Sequence, residues 1–402
     1  MKFRLSKDFL VDTDEPPWKT EGLRIGLWGG SGCGKSSTAA LFAEQFLTQG
    51  GTIVVFEPRA EYQTLKEKFD LVVCGGPYGK DLDFIPSSPA SYAKAVVEDG
   101  VSIIFYTSDV EDETKLIEFV SKFLSYLLKY NEVTKRPIML IVEETEEYAP
   151  MSTKGRVSPP WVFSRMIRQF KTVTRDARKL NIVPISLSPR PQEINFTIRQ
   201  LCNLTFFGKF SPQDADYVDR ECLKAYKHSF YSGKDLIDLK TGQFAVITSG
   251  RPMPLQTITE PRQTKHGAET PKLEYVAPRT EKTREAVTSL TETIQKAQEK
   301  ERLEESELEK LRRIKDELEV KVNNITKRCE TLEQQAATLG KIKIETPTPK
   351  TEDVTFIDKV RTDAILDVKE KVTAVLDSLL PQSQTRPVAT RPSETDIYKV
   401  WE

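Results

Sequence analysis

Apolar residues in the first part of the chain gather into short, nearly continuous runs with amphipathic stretches between them. Leu23, Ile25 and Leu27 open the series, followed by TIVVFEP from Thr52, LVVC at 71–74, VSIIFY at 101–106 and IMLIV at 138–142. IVPISL at 182–187, LTFFGKF at 204–210 and QFAVIT at 243–248 complete it. Runs without polar alternation are what strands buried on both faces require, so they point to a central parallel sheet. Helical spacing fills the gaps, from Ser37 to Leu47, from Lys115 to Tyr130 and from Phe163 to Leu180. In the second of these, Leu116, Phe119, Val120, Phe123, Leu124 and Leu127 share one face. Strand and helix in alternation predict a three-layer α/β domain.

The pattern changes near residue 260. Thr257 to Thr283 is polar and dotted with proline, which reads as a linker. A seven-residue repeat then begins with Val287 and Leu290, followed by Ile294 and Ala297, and after a polar skip at Glu301 and Glu304 by Leu308 and Leu311. It continues through Lys315 and Leu318, Val322 and Ile325, Cys329 and Leu332, and Ala336 and Leu339. Leu or Ile at successive d positions predicts a coiled coil that pairs with another subunit, with a partner, or with its own neighbour after a bend near Glu301, in preference to an isolated charged helix. Pro347 and Pro349 close it, a second amphipathic pattern follows, and a Pro-, Ser-, Thr- and Gln-rich tail ends the chain.

The punctuation between the first strand and the first helix carries the chemistry. Gly29, Gly30, Ser31, Gly32, Cys33, Gly34, Lys35, Ser36 and Ser37 spell GGSGCGKSS, a nucleotide-binding P-loop set directly after a strand. Backbone N–H groups of such a loop point at phosphate, and the following helix adds its positive end. Lys35 would reach the terminal phosphates of ATP, and Ser36 would hold Mg2+. Glu143 and Glu144 end the run at 138–142. They supply the two carboxylates that hydrolysis needs, Glu143 for the magnesium shell and Glu144 to polarise the attacking water. Glu146 and Glu147 are expected to face solvent.

Four landmarks in order, GGSGCGKSS, FEPRAEY at 56–62, IMLIVEETEEYAP at 138–150 and ISLSPRP at 185–191, resemble the HerA and FtsK branch of P-loop ATPases. That branch includes DNA-end translocases, conjugative coupling and VirB4-type ATPases, and viral packaging ATPases. The resemblance implies a RecA-like core, expected over residues 1–256, and the C-terminal α-helical coiled-coil extension read from the heptads lies outside it. Beyond the core it leaves a linker at 257–284, the coiled coil at 285–342, an amphipathic segment at 343–380 and a flexible tail at 381–402. It further implies a ring of subunits whose sites are completed in trans by an arginine, with Arg190, Arg199, Arg220 and Arg251 as candidates. Two positions depart from the pattern. Glu143 replaces the usual Asp, and Pro189 replaces the sensor Gln, a role that would fall to Ser188.

Composition narrows the partners. The 402 residues carry a formal net charge of −1, so contact with DNA has to come from a local surface. Arg165, Arg168, Lys171, Arg175, Arg178 and Lys179 provide one, on a helix that either grips phosphates or merely presents a solvated face. The expected partner is double-stranded DNA held through its backbone, without base reading. The five cysteines and two histidines form no metal-ligand spacing. No apolar stretch reaches the roughly 18 residues of a membrane span, and the start of the chain lacks a secretory segment, which predicts a cytoplasmic protein. Three functions are compatible with these features: a motor that translocates or packages double-stranded DNA, a VirB4-like ATPase driving protein secretion or pilus-type assembly, and a nucleotide-binding coiled-coil scaffold with little hydrolysis.

Overall fold

The computed structural model describes residues 1–223, 231–265 and 276–339. The amphipathic segment and the tail anticipated beyond residue 342 lie outside the described residues, as do the side chains of Glu301, Glu304, Leu308, Ala336 and Leu339. The chain divides into two compact units, Met1–Lys310 and Leu311–Glu402.

The first unit opens with a hairpin of β1 (Lys2–Arg4) and β2 (Leu10–Asp12), then a single helical turn, α1 (Trp18–Glu21). The strands β3 (Ile25–Trp28), β4 (Thr52–Glu57), β5 (Val72–Cys74), β6 (Ile103–Tyr106), β7 (Ile138–Val142), β8 (Ile182–Ser188) and β9 (Leu204–Phe207) follow. They alternate with α2 (Lys35–Thr48), α3 (Pro89–Lys94), α4 (Glu113–Thr134), α5 (Thr145–Tyr148), α6 (Pro160–Asp176) and α7 (Phe196–Leu201). After α8 (Pro212–Val218) and α9 (Gly233–Ile237) come β10 (Gln243–Thr248) and two-residue strands β11 (Arg251–Pro252) and β12 (Gln256–Thr257). The sheet order is β11-β10-β9-β3-β8-β7-β4-β6-β5, with β12 also on β10. From β9 to β5 every pair is parallel, while β10 runs antiparallel to β9.

Each central strand is apolar throughout because both of its faces are covered. One face packs under α3, α4 and α6, where Phe56, Phe105, Phe119 and Phe123 interlock. The other packs under α2 and the hairpin, with Phe3 and Phe42 at 5.2 Å between ring centroids. The helix α4 starts where Asp112 accepts from the Lys115 amide at 3.0 Å, an N-cap that fixes its first turn. Three layers are thus present as the alternation predicts. The apolar run at 204–210 is the exception, since β9 stops at Phe207 and Gly208 turns to lie against Cys33.

The region read as a linker is in part strapped to the body. Glu44, fully buried on α2, accepts from Arg262 Nε at 3.1 Å, from the Gln263 and Thr264 amides at 2.7 and 3.1 Å, and from Thr264 Oγ1 at 2.5 Å. Further along, the Thr280 amide and Thr283 hydroxyl donate to Asp70, and Arg279 pairs with Asp81, itself paired with Lys66. The long helix α10 (Glu281–Leu339) matches the extension expected from the heptads. Its first seam is spent on the body: Ala286, Leu290 and Ile294 are buried in the core beneath it. Those positions are therefore not a pairing surface, which corrects the coiled coil expected from residue 285. Among the described residues no helix is long and apolar enough to cross a membrane.

A buried carboxylate stripped of its counter-charge is among the costliest single losses in a core. Arg262→Ala is therefore expected to lower unfolding stability by about 3 kcal/mol, read from the urea midpoint. An unchanged midpoint would show that the strap contributes nothing to the fold.

Candidate nucleotide site

The parallel strands end along one edge of the sheet, the usual place for a ligand in an open α/β fold. Here β3 delivers the chain into the Gly-rich loop. Gly29 has a φ of 152°, and a Cβ there would sit 2.8 Å from Cys33 Sγ. Gly34, in a left-handed conformation with φ 103°, would bring a Cβ within 3.2 Å of the Gly242 amide. The loop is braced from outside by Thr241, whose hydroxyl donates to Gly32 O at 2.9 Å, and by the Gly242 amide, which donates to Cys33 O at 2.9 Å. Lys35 begins α2 and turns back over the loop, donating to Gly29 O at 2.7 Å and Gly30 O at 3.1 Å. Burial raises the Cys33 thiol above its ordinary pKa, so it serves the loop as packing.

Ser31, Gly32, Lys35 and Ser36 form one wall of a cleft, and Glu57, Glu143, Glu144 and Pro189 are among those that form the other. Ser37 follows on α2 and is not among the lining residues. Glu143 continues β7, and its amide donates to Phe56 O at 3.0 Å, which sets its carboxyl beside that of Glu57 at the end of β4. The Ser36 hydroxyl and the Tyr62 phenol, the latter at 2.7 Å, both hydrogen-bond to Glu143. Desolvation pushes the Glu143 carboxyl up to about 7, although these two donors pull it down. Glu57 is buried outright and rises to about 8, also through desolvation, while it accepts from the Glu61 and Tyr62 amides at 2.6 and 3.2 Å. Hard oxygen donors from Ser36 and Glu143 facing one another suit Mg2+, which takes few protein ligands and leaves the rest to phosphate and water. Among the described residues there is no separate cluster of three or more His, Cys, Asp or Glu side chains able to hold a metal.

Glu144 occupies a left-handed backbone conformation, φ 47° and ψ 52°, at the start of α5. This turns its side chain to the mouth of the cleft, where Arg59 Nη2 donates to it at 2.6 Å. The charge and position fit the polarisation of a water. Its neighbour Glu146 does not face solvent as anticipated: only 4% of it is exposed, and desolvation raises its pKa to about 7. Ser188 explains part of this burial. Its hydroxyl interacts with Glu146 and accepts from the Arg190 amide at 3.0 Å, deep behind the cleft wall. Pro189, not Ser188, lines the cleft.

The four arginines considered for trans contact differ in their commitments. Arg199 donates to Pro191 O at 2.8 Å and Tyr217 Oη at 2.9 Å and lies over the rings of Phe196 and Tyr217. Arg220 pairs with Asp216 at 3.2 Å, and Arg251 is exposed on β11. Arg190 is 58% exposed in its side chain and pairs with Glu193 at 3.1 Å. On α6, Arg165, Arg168 and Arg175 fall on one exposed stripe with Trp161, while Lys171 is half-buried. Arg178 and Lys179 lie past the helix end at Asp176, and Arg178 donates to Thr20 O at 2.8 Å. The basic surface expected from six residues is thus a three-arginine stripe with flanking charges.

Sequence reading missed Arg59, Glu57 and Tyr62 as members of the site, although all three stand inside the FEPRAEY landmark. Because Glu57 titrates near 8 in the folded chain and near 4.5 when unfolded, the native state binds the extra proton between those values. Its contribution to stability is complete below about pH 4.5 and is lost as the pH rises through about 8. Glu57→Gln is expected to flatten the fall in urea midpoint between pH 5 and pH 8. An undiminished slope in the variant would mean that other groups carry the dependence.

The family model for the central domain of the helicase HerA matches residues 22–237. No curated protein sequence matches the chain. Among solved structures, VirB4 of Thermoanaerobacter pseudethanolicus is 13% identical with a TM-score of 0.46, over 65% of this chain and 97% of that one. The genome packaging NTPase B204 from Sulfolobus turreted icosahedral virus 2, in complex with ATP-γS, is 12% identical with a TM-score of 0.41, over 59% and 98%. The bacterial conjugative coupling protein TrwBΔN70 is 11% identical with a TM-score of 0.45, over 65% and 90%. The matched segment takes in the P-loop, the Glu143–Glu144 pair and the basic helix, and it spans more than half of the 402 residues. On that match the chain belongs to the HerA helicase central-domain family of P-loop ATPases.

Proposed function

We propose that this protein is a Mg2+-dependent, ATP-hydrolysing motor with a RecA-like core that moves double-stranded DNA as a ring of subunits. The observation that carries the reading is the facing of Lys35 and Ser36 on one wall by Glu143 and Glu144 on the other. Lys35 would bind the β- and γ-phosphates, amides of the loop from Ser31 to Ser36 would cradle them, and Ser36 with Glu143 would hold the cation. Glu144 orients the attacking water once Arg59 releases it. Tyr62 keeps Glu143 aimed at the cation, the outer-shell role that phenols and carboxylates commonly play at metal sites.

DNA as the substrate is supported by the helicase family and by the exposed arginine stripe on α6. A repeating phosphate charge can be gripped whatever the base sequence, as translocation requires. Of the four arginines, Arg190 is the one proposed to complete a neighbour's site. It is exposed, close in sequence to Pro189 at the cleft, and held by a surface ion pair that a phosphate can outcompete. Ser188 supports this region by fixing the Arg190 amide and Glu146 and does not touch nucleotide.

Lys35→Ala is expected to abolish nucleotide turnover, and duplex DNA at low salt to stimulate the wild type. Charge reversal at Arg165, Arg168 and Arg175 should remove the stimulation and lower the salt slope of duplex binding by about 0.9 per lost phosphate contact. Turnover indifferent to DNA would redirect the reading to protein transport, and binding without turnover to a nucleotide-bound scaffold. Tyr62→Phe is expected to raise the Mg2+ concentration for half-maximal turnover about tenfold. A maximal rate that falls at unchanged Mg2+ dependence would refute its proposed role.

A further inference from the structure

The second unit begins at Leu311, and within it α10 presents an apolar seam of its own. Leu311, Leu318, Ile325 and Leu332 occupy d positions, and Lys315, Val322 and Cys329 occupy a positions. Its Leu, Ile and Val side chains are between 49% (Leu318) and 63% (Ile325) exposed. That contrasts with Leu290 and Ile294, which are 3% and 5% exposed against the body. Four large apolar d residues in a row, each left in water at a cost of roughly 1 kcal/mol or more, need a cover.

The seam is self-complementary. A β-branched residue at a with Leu at d favours two parallel strands, and a single Lys at an a position fixes register. Lys315 Nζ is drawn to Glu319 Oε1 at 3.5 Å, so its charge goes to the rim and its stem stays along the seam. The flanking e and g residues agree. A parallel partner in register sets Ile314 opposite Glu319 and Lys321 opposite Thr326, with no like charges meeting at these positions, while the two Lys315 side chains meet in one a layer, each drawn outward to its own Glu319. Antiparallel pairing would instead place Lys315 against Ile325 and Cys329 against Leu311, so that a lysine enters two layers of the seam, where the parallel pair confines both lysines to one.

We infer that residues 311–332 form a parallel, in-register, two-stranded coiled coil with the same segment of a second copy of this chain. The inference does not depend on the nucleotide chemistry. Its register brings Cys329 of each copy face to face across the seam. Of the five cysteines, Cys33 and Cys74 are buried, Cys202 and Cys222 are half-buried, and Cys329 is exposed.

The test uses the full-length, reduced chain treated with diamide, which takes two electrons and two protons from a thiol pair as the disulfide forms. A disulfide-linked dimer on a non-reducing gel is expected, absent in Cys329→Ser. Leu318→Glu with Ile325→Glu, at positions exposed in the single chain and so harmless to its fold, should abolish the cross-link while leaving the circular dichroism unchanged. Leu311→Cys with Cys329→Ser should restore a self-cross-link, because d positions also meet across a parallel pair. No Cys329-dependent dimer, a cross-link indifferent to the double Glu variant, or a cross-link only between Leu311→Cys and Cys329 would each overturn the inference. The last of these would establish the antiparallel pair. A monomeric chain on sedimentation without cross-linking would assign the seam to another cover.

Discussion

Two carboxyls stand side by side at the ends of β4 and β7, and the geometry of the nucleotide cleft follows from how the fold accommodates them. The ladder that pairs Phe56 with Val142 puts Glu57 next to Glu143. Neither can be fully ionised without cost, since desolvation raises both and the Glu143 charge raises Glu57 further. The chain answers with donors. Glu57 is taken up by the amides of its own following turn, and that turn positions the Tyr62 ring so that its phenol reaches Glu143. Ser36 closes the arrangement from the opposite wall. A cation at this place requires ionised Glu143, so loading the site with metal would expel whatever proton that carboxyl holds.

Much of this was legible in the residues. The strands β7 and β10 run over the very apolar stretches that announce them, because a strand covered on both faces has no polar position to blur its limits. GGSGCGKSS was equally plain, since few other backbones need glycine at three positive-φ positions, here Gly29, Gly32 and Gly34, before a Lys and a Ser. The hairpin of β1 and β2 left no signal. Its three-residue strands alternate in burial, and β1 donates backbone hydrogen bonds to the side chains of Gln45 on α2 and Gln49 just past it. Glu146 misled because it lies on a single helical turn, where one residue points inward regardless of charge. Its companion Ser188 is buried with it and hydrogen-bonds to its carboxyl.

The heptads show where pattern alone must fail. A stripe at a and d positions covers a helix partner and a globular core equally well. Leu290 and Ile294 took the core, whereas Leu318 and Val322 did not, and the spacing of the two pairs is identical. What separates them is the strap before the helix. Arg262 and Thr264 on Glu44, and Thr280 and Thr283 on Asp70, set the start of α10 against the body and so decide which of its first turns are buried.

The strap also gives the nucleotide cleft a physical neighbour. Glu44 rides on α2, the helix whose first residues are Lys35 and Ser36, and Asp70 follows the segment that holds Tyr62 against Glu143. Any rotation of α2 as Lys35 leaves the carbonyls of Gly29 and Gly30 for a phosphate would therefore pull on Arg262 and Thr264 through a buried ion pair. Buried ion pairs yield poorly because separating them exposes unpaired charge to an apolar surround. Glu44 of the helix that carries the P-loop lysine holds Arg262 and Thr264, and Asp70 holds Thr280 and Thr283 at the start of α10, so both ends of the strap are fixed to segments that also carry residues of the cleft, Lys35 and Ser36 on one and Tyr62 before the other.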